Sequence, residues 1–246
     1  MRHVEAVWDT VVSFHLDGAP EPDLEQAVTR SVAWVHEVDR VLSAFRPDSD
    51  LARWQRGEIV LAQASPLLAE VMDLATQARD ATDGAFDPLW SGVPDPTGLV
   101  KGWAIDHAAR IAAAHGVTSI NINAGGDVHA SGGRPDGGPW RIGIEDPADA
   151  SRVIDVIEAR DVCVATSGTL HRGEHVVRSA RAGDPIASVS VAGPNLVWAD
   201  AYSTAALALG TNAHDLLTSI APTWSALIVH TDGTTWASPG WPGSTT

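Results

Sequence analysis

One basic side chain in this sequence differs from all the others. Lys101 is the single lysine, and the other fifteen basic residues are arginines. A lysine ammonium is a compact point charge with three rotatable donors, whereas the arginine guanidinium is a larger planar fork, so the two exchange poorly where space is tight. Gly102 follows directly and lets the backbone approach a ligand closely. The pattern indicates either a position where a guanidinium will not serve or a solvent-exposed lysine of no special role.

A carboxylate and a hydroxyl in the last quarter of the sequence have the spacing of metal ligands. Asp200 and Thr204 lie four residues apart in a predicted helix, so their oxygens share one helical face. With a nearby backbone carbonyl they supply the hard oxygen ligands that Mg2+ accepts, usually completed by waters and phosphate. The alternative is that Asp200 is an acidic residue in the first turn of a helix, where the helix dipole favours it.

Glycines stand beside polar residues in four short segments: 83–88, 101–102, 123–127 and 165–168. Each segment alone resembles an ordinary turn. None has the spacing of a phosphate-binding P-loop or of a dinucleotide-binding turn. Because the segments recur near the ends of predicted strands, their backbone amides could together approach a phosphorylated ligand.

Two histidines, His171 and His175, follow the last of these segments. A histidine in a loop is a plausible general base because its imidazole titrates near neutral pH. A solvated histidine is the alternative for each of them.

The composition narrows the class of protein. Of the 246 residues 44 % are hydrophobic, which is enough for a substantial core, and the net charge is -15. A surface of this sign repels phosphate backbones and anionic lipids, so no nucleic-acid partner and no membrane are expected. The single cysteine, Cys163, excludes an internal disulfide and a Cys-based zinc cluster, and its apolar neighbours predict a buried structural thiol. The N-terminus shows no apolar signal region and no lipidation cysteine, which predicts a cytoplasmic location.

Hydrophobic periodicity and turn residues predict the elements that position these groups. Helices are expected at 22–42, 66–82, 103–115 and 199–209, and a short helix is expected to begin after an N-cap at Ser49. Strands are expected at 4–16, 119–123, 140–144, 162–165 and 188–191, and a last hairpin is expected around Asp232-Gly233. Residues 83–102 are predicted to form one long structured loop, and loops of this length inside a compact domain are usually functional or disordered. Helices and strands do not alternate regularly, which favours an α+β fold over a doubly wound sheet.

Taken in order, the motifs resemble those of the ApbE-like family of FAD:protein FMN transferases. The matching segments are Ser43–Ser49, Thr82–Pro88, Gly98–Asp106, Asn123–Asp127, Ala165–Gly168 and Ala199–Thr204. They occur in the family's order and span most of the chain. The resemblance implies an α+β fold with mixed, largely antiparallel sheets flanked by helices, in one domain over residues 1–246.

The resemblance also implies an activity and its residues. The expected reaction is Mg-dependent transfer of FMN from FAD to a threonine hydroxyl of an acceptor flavoprotein, with release of AMP. Carried over by motif position, the magnesium ligands are Gly98, Asp200 and Thr204, and the catalytic residues are His175 as base and Lys101. The expected FAD-binding residues are Phe86, Asp87, Lys101, Gly125, Gly126, Asp127, Thr166, Ser167 and Gly168.

Two positions depart from the family pattern. The family's Met-Gly-Thr near the start is Trp8-Asp9-Thr10 here, and aspartate tolerates a positive φ less well than glycine does. The Asp-Pro that follows the family's histidine is absent after His175, and Arg178 brings the opposite charge to this segment. These departures keep two alternatives open: hydrolysis of the FAD pyrophosphate to FMN and AMP, and a non-catalytic FAD-binding protein.

Overall fold

The computed structural model describes residues 1–168 and 186–243 of the chain. The helices are α1 Glu21–Leu42, α2 Asp50–Gln55, α3 Pro66–Ala81, α4 Thr97–Ala114, α5 Leu196–Leu209 and α6 Ala213–Ser219. The strands are β1 Arg2–Val7, β2 Thr10–Asp17, β3 Ser119–Ala124, β4 Asp127–Ser131, β5 Trp140–Asp146, β6 Asp149–Ala159, β7 Val162–Gly168, β8 Ile186–Gly193, β9 Ser225–His230 and β10 Thr235–Ala237. In these ranges no helix is long and apolar enough to cross a lipid bilayer.

The described strands form one large sheet and one small one. The large sheet has eight strands in the order β1-β2-β3-β4-β7-β8-β9-β10, and β5 pairs with β6 as a separate ribbon. Every pairing is antiparallel. The expected α+β fold with largely antiparallel sheets flanked by helices is confirmed.

The two faces of the large sheet carry different layers because side chains alternate along each strand. On one face, residues such as Phe14, Ile122 and Val189 pack with the buried sides of α1, α4 and α5. On the other face, Val128 and Val164 pack with residues of the β5-β6 ribbon. A third group of apolar residues joins α1 and α4 to the smaller helices α2 and α3. The sheet therefore lies between a helical layer and the β5-β6 ribbon.

Two predicted boundaries were wrong in ways that matter for the site. The strand expected at 4–16 is a hairpin, in which Trp8 and Asp9 turn the chain with φ of 58° and 52°. The loop expected at 83–102 ends earlier, because α4 begins at Thr97 and contains Lys101 and Gly102. Glycine lowers intrinsic helix propensity, but the buried residues of α4 pack against its neighbours and extend the helix.

Other elements follow the prediction closely or were missed. Helix α2 begins after Ser49, whose hydroxyl accepts a hydrogen bond from Ala52 N at 3.0 Å, as expected of an N-cap. Strands β4 and β6 and helix α6 were not predicted. The first five residues of β6, 149–153, are all exposed, so this part of the sequence lacks the alternation that marks a half-buried strand.

Candidate active site

A cleft of about 1380 Å³ opens where the first residues of β2 and β4 meet the last residues of β3 and β7. The end of α1, the turn at 84–87, the start of α4, most of β5 and the end of α5 also line it. Of the residues predicted from the sequence to belong to the site, those that line the cleft are Phe86, Asp87, Gly98, Lys101, Gly125, Gly126, Thr166, Gly168 and Thr204. The fold therefore gathers most of the predicted set at one place.

The other predicted residues fall into two groups. Asp127, Ser167 and Asp200 are 1–2 % exposed and lie behind the wall of the cleft, where they hold the lining residues. His175 lies outside the described residues, as do His171 and Arg178. The segment that contains them follows Gly168, which lines the cleft and pairs with Ser188 of β8.

Lys101 is fixed by a buried carboxylate. Its Nζ pairs with Oδ2 of Asp127, and the two side chains are 16 % and 1 % exposed. The other oxygen of that carboxylate, Oδ1, accepts a hydrogen bond from Thr166 N at 2.9 Å. One carboxylate thus links α4 to β4 and β7 and holds the ammonium group at the wall of the cleft.

The predicted metal ligands come together across α4 and α5. Thr204 Oγ1 lies 3.3 Å from the Gly98 carbonyl oxygen, to which it donates, and it is also 3.3 Å from Ser167 Oγ. Asp200 lies one turn earlier on α5, and its Oδ2 accepts a hydrogen bond from Gly102 N at 3.0 Å. Because α5 begins at Leu196, Asp200 is past the first turn, so the alternative of a simple first-turn acid is wrong.

Helices α4 and α5 approach closely because Gly102 has no side chain. A Cβ at this position would lie 2.6 Å from the Leu196 carbonyl oxygen and 3.0 Å from Asp200 Cβ. Asp106, one turn further along α4, accepts hydrogen bonds from Leu196 N at 2.8 Å and Val197 N at 3.0 Å through its Oδ2. Each helix therefore presents a carboxylate to a backbone amide of the other, and we call Asp106 and Asp200 the α4-α5 carboxylates.

The four glycine segments have different structures. Residues 123–127 do form a turn, in which Gly125 and Gly126 have φ of 59° and 98° and Asn123 Oδ1 accepts from Gly126 N at 2.9 Å. Residues 83–88 also form a turn. The other two expectations were wrong: 101–102 is helical, and 165–168 belongs to strand β7. A helix and a strand tolerate these glycines because close neighbours pack against them.

Comparison with known proteins places the chain among its relatives. The model of the ApbE family matches residues 8–93 and 95–228, which is most of the chain. The chain belongs to the ApbE family. Two ApbE relatives are proteins named FAD:protein FMN transferase: one from Escherichia coli, 30 % identical over 70 % of this chain and 68 % of its own length, and one from Salmonella typhimurium, 27 % identical over the same shares. A third, from Vibrio cholerae, is 31 % identical over 47 % of this chain, and the match spans 38 % of that protein.

Solved ApbE structures share the fold. The ApbE protein of Thermotoga maritima superimposes with a TM-score of 0.82, covers 97 % of both chains and is 21 % identical. The flavin transferase ApbE of Vibrio cholerae superimposes with a TM-score of 0.81, covers 98 % of this chain and 97 % of its own, and is also 21 % identical. At this identity the likeness concerns the fold.

Some residues at the site were not found from the sequence. Asp106 is part of the ApbE-like segment 98–106, but its contact with α5 could not be read from the motif. Most of β5 also lines the cleft, including its charged residues Arg141, Glu145 and Asp146. The turn residues Glu145-Asp146-Pro147 follow a predicted strand, and they are the sequence feature that could have indicated this part of the cleft.

The departure at Trp8-Asp9 has a structural consequence. Both residues line the cleft and occupy the left-handed region, where the first hairpin requires two positive φ values. The family's glycine at the position of Asp9 meets this requirement without strain. In this chain the turn instead places a carboxylate at the wall of the cleft.

Asp9→Gly is expected to tighten binding of an anionic ligand such as FAD in the cleft a few-fold, because the substitution removes a negative charge from the wall. Titration calorimetry with FAD measures the change. Asp9→Asn serves as the matched variant: it removes the charge and keeps a side chain that tolerates positive φ. Equal FAD affinity in the parent and both variants would show that Asp9 does not face the ligand.

Proposed function

We propose that this chain transfers FMN from FAD to a threonine hydroxyl of an acceptor flavoprotein, with Mg2+ and with release of AMP. The observation that supports the proposal is a contact at the wall of the cleft. There the Thr204 hydroxyl meets the Gly98 carbonyl, and Lys101 lines the same cleft. The names of the ApbE relatives from Escherichia coli and Salmonella typhimurium support transfer of FMN from FAD to a protein.

The size of the cleft suits this reaction. Small-molecule sites usually enclose about 300–1,000 Å³, and this cleft of about 1380 Å³ exceeds that range. A dinucleotide such as FAD is long, and its phosphorus must also remain accessible to a side chain of another protein. A cleft larger than a typical ligand pocket accommodates both.

The residues present fit a magnesium ion. The 3.3 Å between Thr204 Oγ1 and the Gly98 carbonyl oxygen is close to the separation of about 3 Å between adjacent oxygens around an octahedral Mg2+. Asp200, one helical turn before Thr204, would supply the carboxylate ligand. When bound, the ion neutralises charge on the pyrophosphate oxygens. The protein ligands are all oxygens, as Mg2+ prefers.

Lys101 and the backbone of the cleft orient the FAD pyrophosphate in this proposal. The threonine oxygen of the acceptor forms a bond to the phosphorus of the FMN half, and the bond from that phosphorus to the bridging oxygen breaks. AMP leaves with the bridging oxygen, and the hydroxyl proton passes to a base. Lys101, held by Asp127, stabilises negative charge as it develops on the pyrophosphate. We assign the role of base to His175, on the resemblance of its segment to the family's.

A set of matched incubations tests the proposal. The protein is incubated with FAD and Mg2+, with a flavin-acceptor domain or with the same domain carrying valine at its acceptor threonine. Transfer predicts AMP equal in amount to covalently bound FMN, and only with the threonine acceptor. AMP with free FMN and no need for an acceptor would instead establish hydrolysis. FAD binding without AMP under every condition would establish a non-catalytic flavin binder.

A further inference from the structure

A second polar cluster lies in the core, separate from the cleft. Asp106 of α4, His129 of β4 and Cys163 of β7 meet on the helical side of the large sheet. His129 Nδ1 is 2.8 Å from Asp106 Oδ1 and 3.4 Å from Cys163 Sγ, and Cys163 Sγ is 3.9 Å from Asp106 Oδ1. None of these three residues lines the cleft. The mechanism proposed above uses neither His129 nor Cys163.

These distances are close to those of a metal site. Zinc binds nitrogen and oxygen at about 2.0–2.1 Å and sulfur at about 2.3 Å with tetrahedral angles, so neighbouring ligand atoms are roughly 3.3–3.6 Å apart. The three measured distances bracket this range. Movements of about half an ångström, well within side-chain torsional freedom, would bring the three atoms to ligand positions.

We propose that Asp106, His129 and Cys163 bind one thiophilic divalent cation of the Zn2+ class. The ligands are one carboxylate oxygen, one imidazole nitrogen and one thiolate, and water completes the tetrahedron. The thiol gives its proton to solvent when the ion binds. The imidazole hydrogen, which Nδ1 shares with the carboxylate acceptor in the metal-free state, is replaced by one on Nε2.

The buried environment of the three side chains favours a neutral metal complex over separate charges on the ligands. Asp106 and Cys163 are 8 % and 2 % exposed, so an unpaired charge on either side chain is costly there. A divalent cation with one carboxylate and one thiolate forms a neutral centre, which the core accepts more readily than separate charges. The His129 side chain is 18 % exposed and provides a route to solvent.

Asp106 also limits how the ion can bind. Its Oδ2 already accepts hydrogen bonds from Leu196 N and Val197 N at the start of α5. These bonds fix the carboxylate, as outer hydrogen bonds commonly do for metal ligands, and leave Oδ1 as a single-oxygen ligand. The sequence argued against a Cys-based zinc cluster, and the structure reveals a mixed set with one sulfur instead.

Cobalt provides the test, because Co2+ replaces Zn2+ and its bond to a thiolate produces a charge-transfer absorption band. Cys163 is the single cysteine of the sequence, so this band reports on one residue. The full chain without FAD or Mg2+ is titrated with Co2+. We expect a thiolate band that saturates at one equivalent and disappears when Zn2+ is added. Saturating Co2+ without such a band overturns the proposal.

Variants assign the other ligands. Cys163→Ser should lose the band, and His129→Gln should weaken Co2+ binding at least about tenfold. His36→Gln is the matched control, since His36 lies on the exposed side of α1 and should leave the band and the affinity unchanged. Circular dichroism confirms that each variant is folded. Unchanged affinity in a folded His129→Gln protein would also overturn the assignment.

Discussion

Asp200→Asn is expected to lower the rate of FMN transfer at least about a hundredfold without disrupting the fold. The asparagine side chain keeps an oxygen that accepts from Gly102 N, so the contact between α4 and α5 survives. It lacks the negative charge of a magnesium ligand, and charge stabilisation by a catalytic metal contributes several kcal/mol. The initial rate is measured across a titration of Mg2+.

Thermal unfolding provides a second readout for Asp200→Asn. In the parent, Mg2+ should increase the stabilisation that FAD gives, because a ligand that binds only the native state stabilises by mass action. The variant should lose this increment and keep the melting temperature of the ligand-free parent. Asp215→Asn, at an exposed carboxylate of α6, is the control and should behave as the parent. A parental rate and Mg2+ response in Asp200→Asn would remove Asp200 from the metal site.

Lys101→Met is expected to destabilise the protein by about 3–5 kcal/mol, the usual cost of removing one partner of a buried ion pair. The Asp127 carboxylate is 1 % exposed and would lose its ammonium partner. FAD binding should weaken as well, since the same ammonium faces the cleft. Urea denaturation measures the free energy of unfolding, and calorimetry measures FAD affinity.

A second substitution separates the two effects of Lys101→Met. Asp127→Asn removes the buried charge and keeps an oxygen that accepts from Thr166 N. The double variant should therefore regain much of the stability while FAD binding stays weak. Lys101→Arg completes the set: it keeps the charge, but its larger fork should fit poorly beside Asp127 and bind FAD less well. Parental stability in Lys101→Met would contradict the buried pair.

Local features of the sequence were sufficient to predict many of the helices and strands. The regular apolar spacing of α1 predicted a helix at 22–42, against the observed Glu21–Leu42. The helix that carries Asp200 and Thr204 was also expected, so their shared face followed from the spacing of four. The ordered motifs predicted the family, and most of the site residues carried over with them line the cleft.

Contacts between distant segments could not be predicted in the same way. The start of α4 was assigned to a loop because Gly98 and Gly102 lower helix propensity, while the stabilising contact comes from α5. The approach of Asp106 to His129 and Cys163 depends on the pairing of β4 with β7 and on the packing of α4 over both strands. Neither arrangement leaves a periodic signal in the residues themselves.

The α4-α5 carboxylates, Asp106 and Asp200, have a consequence for the order in which the molecule folds. Asp106 and Leu196 are 90 residues apart in the sequence, and Gly102 and Asp200 are 98 apart. Closing such long loops is entropically costly and slows folding. On the ribosome, α4 emerges long before α5, and its Asp106 carboxylate and buried apolar face lack their later partner during that interval. Helix α5 supplies the partners of Asp106 and also brings Asp200 and Thr204 into place, so the candidate metal site forms only after a large part of the chain has been synthesised and α5 has packed against α4.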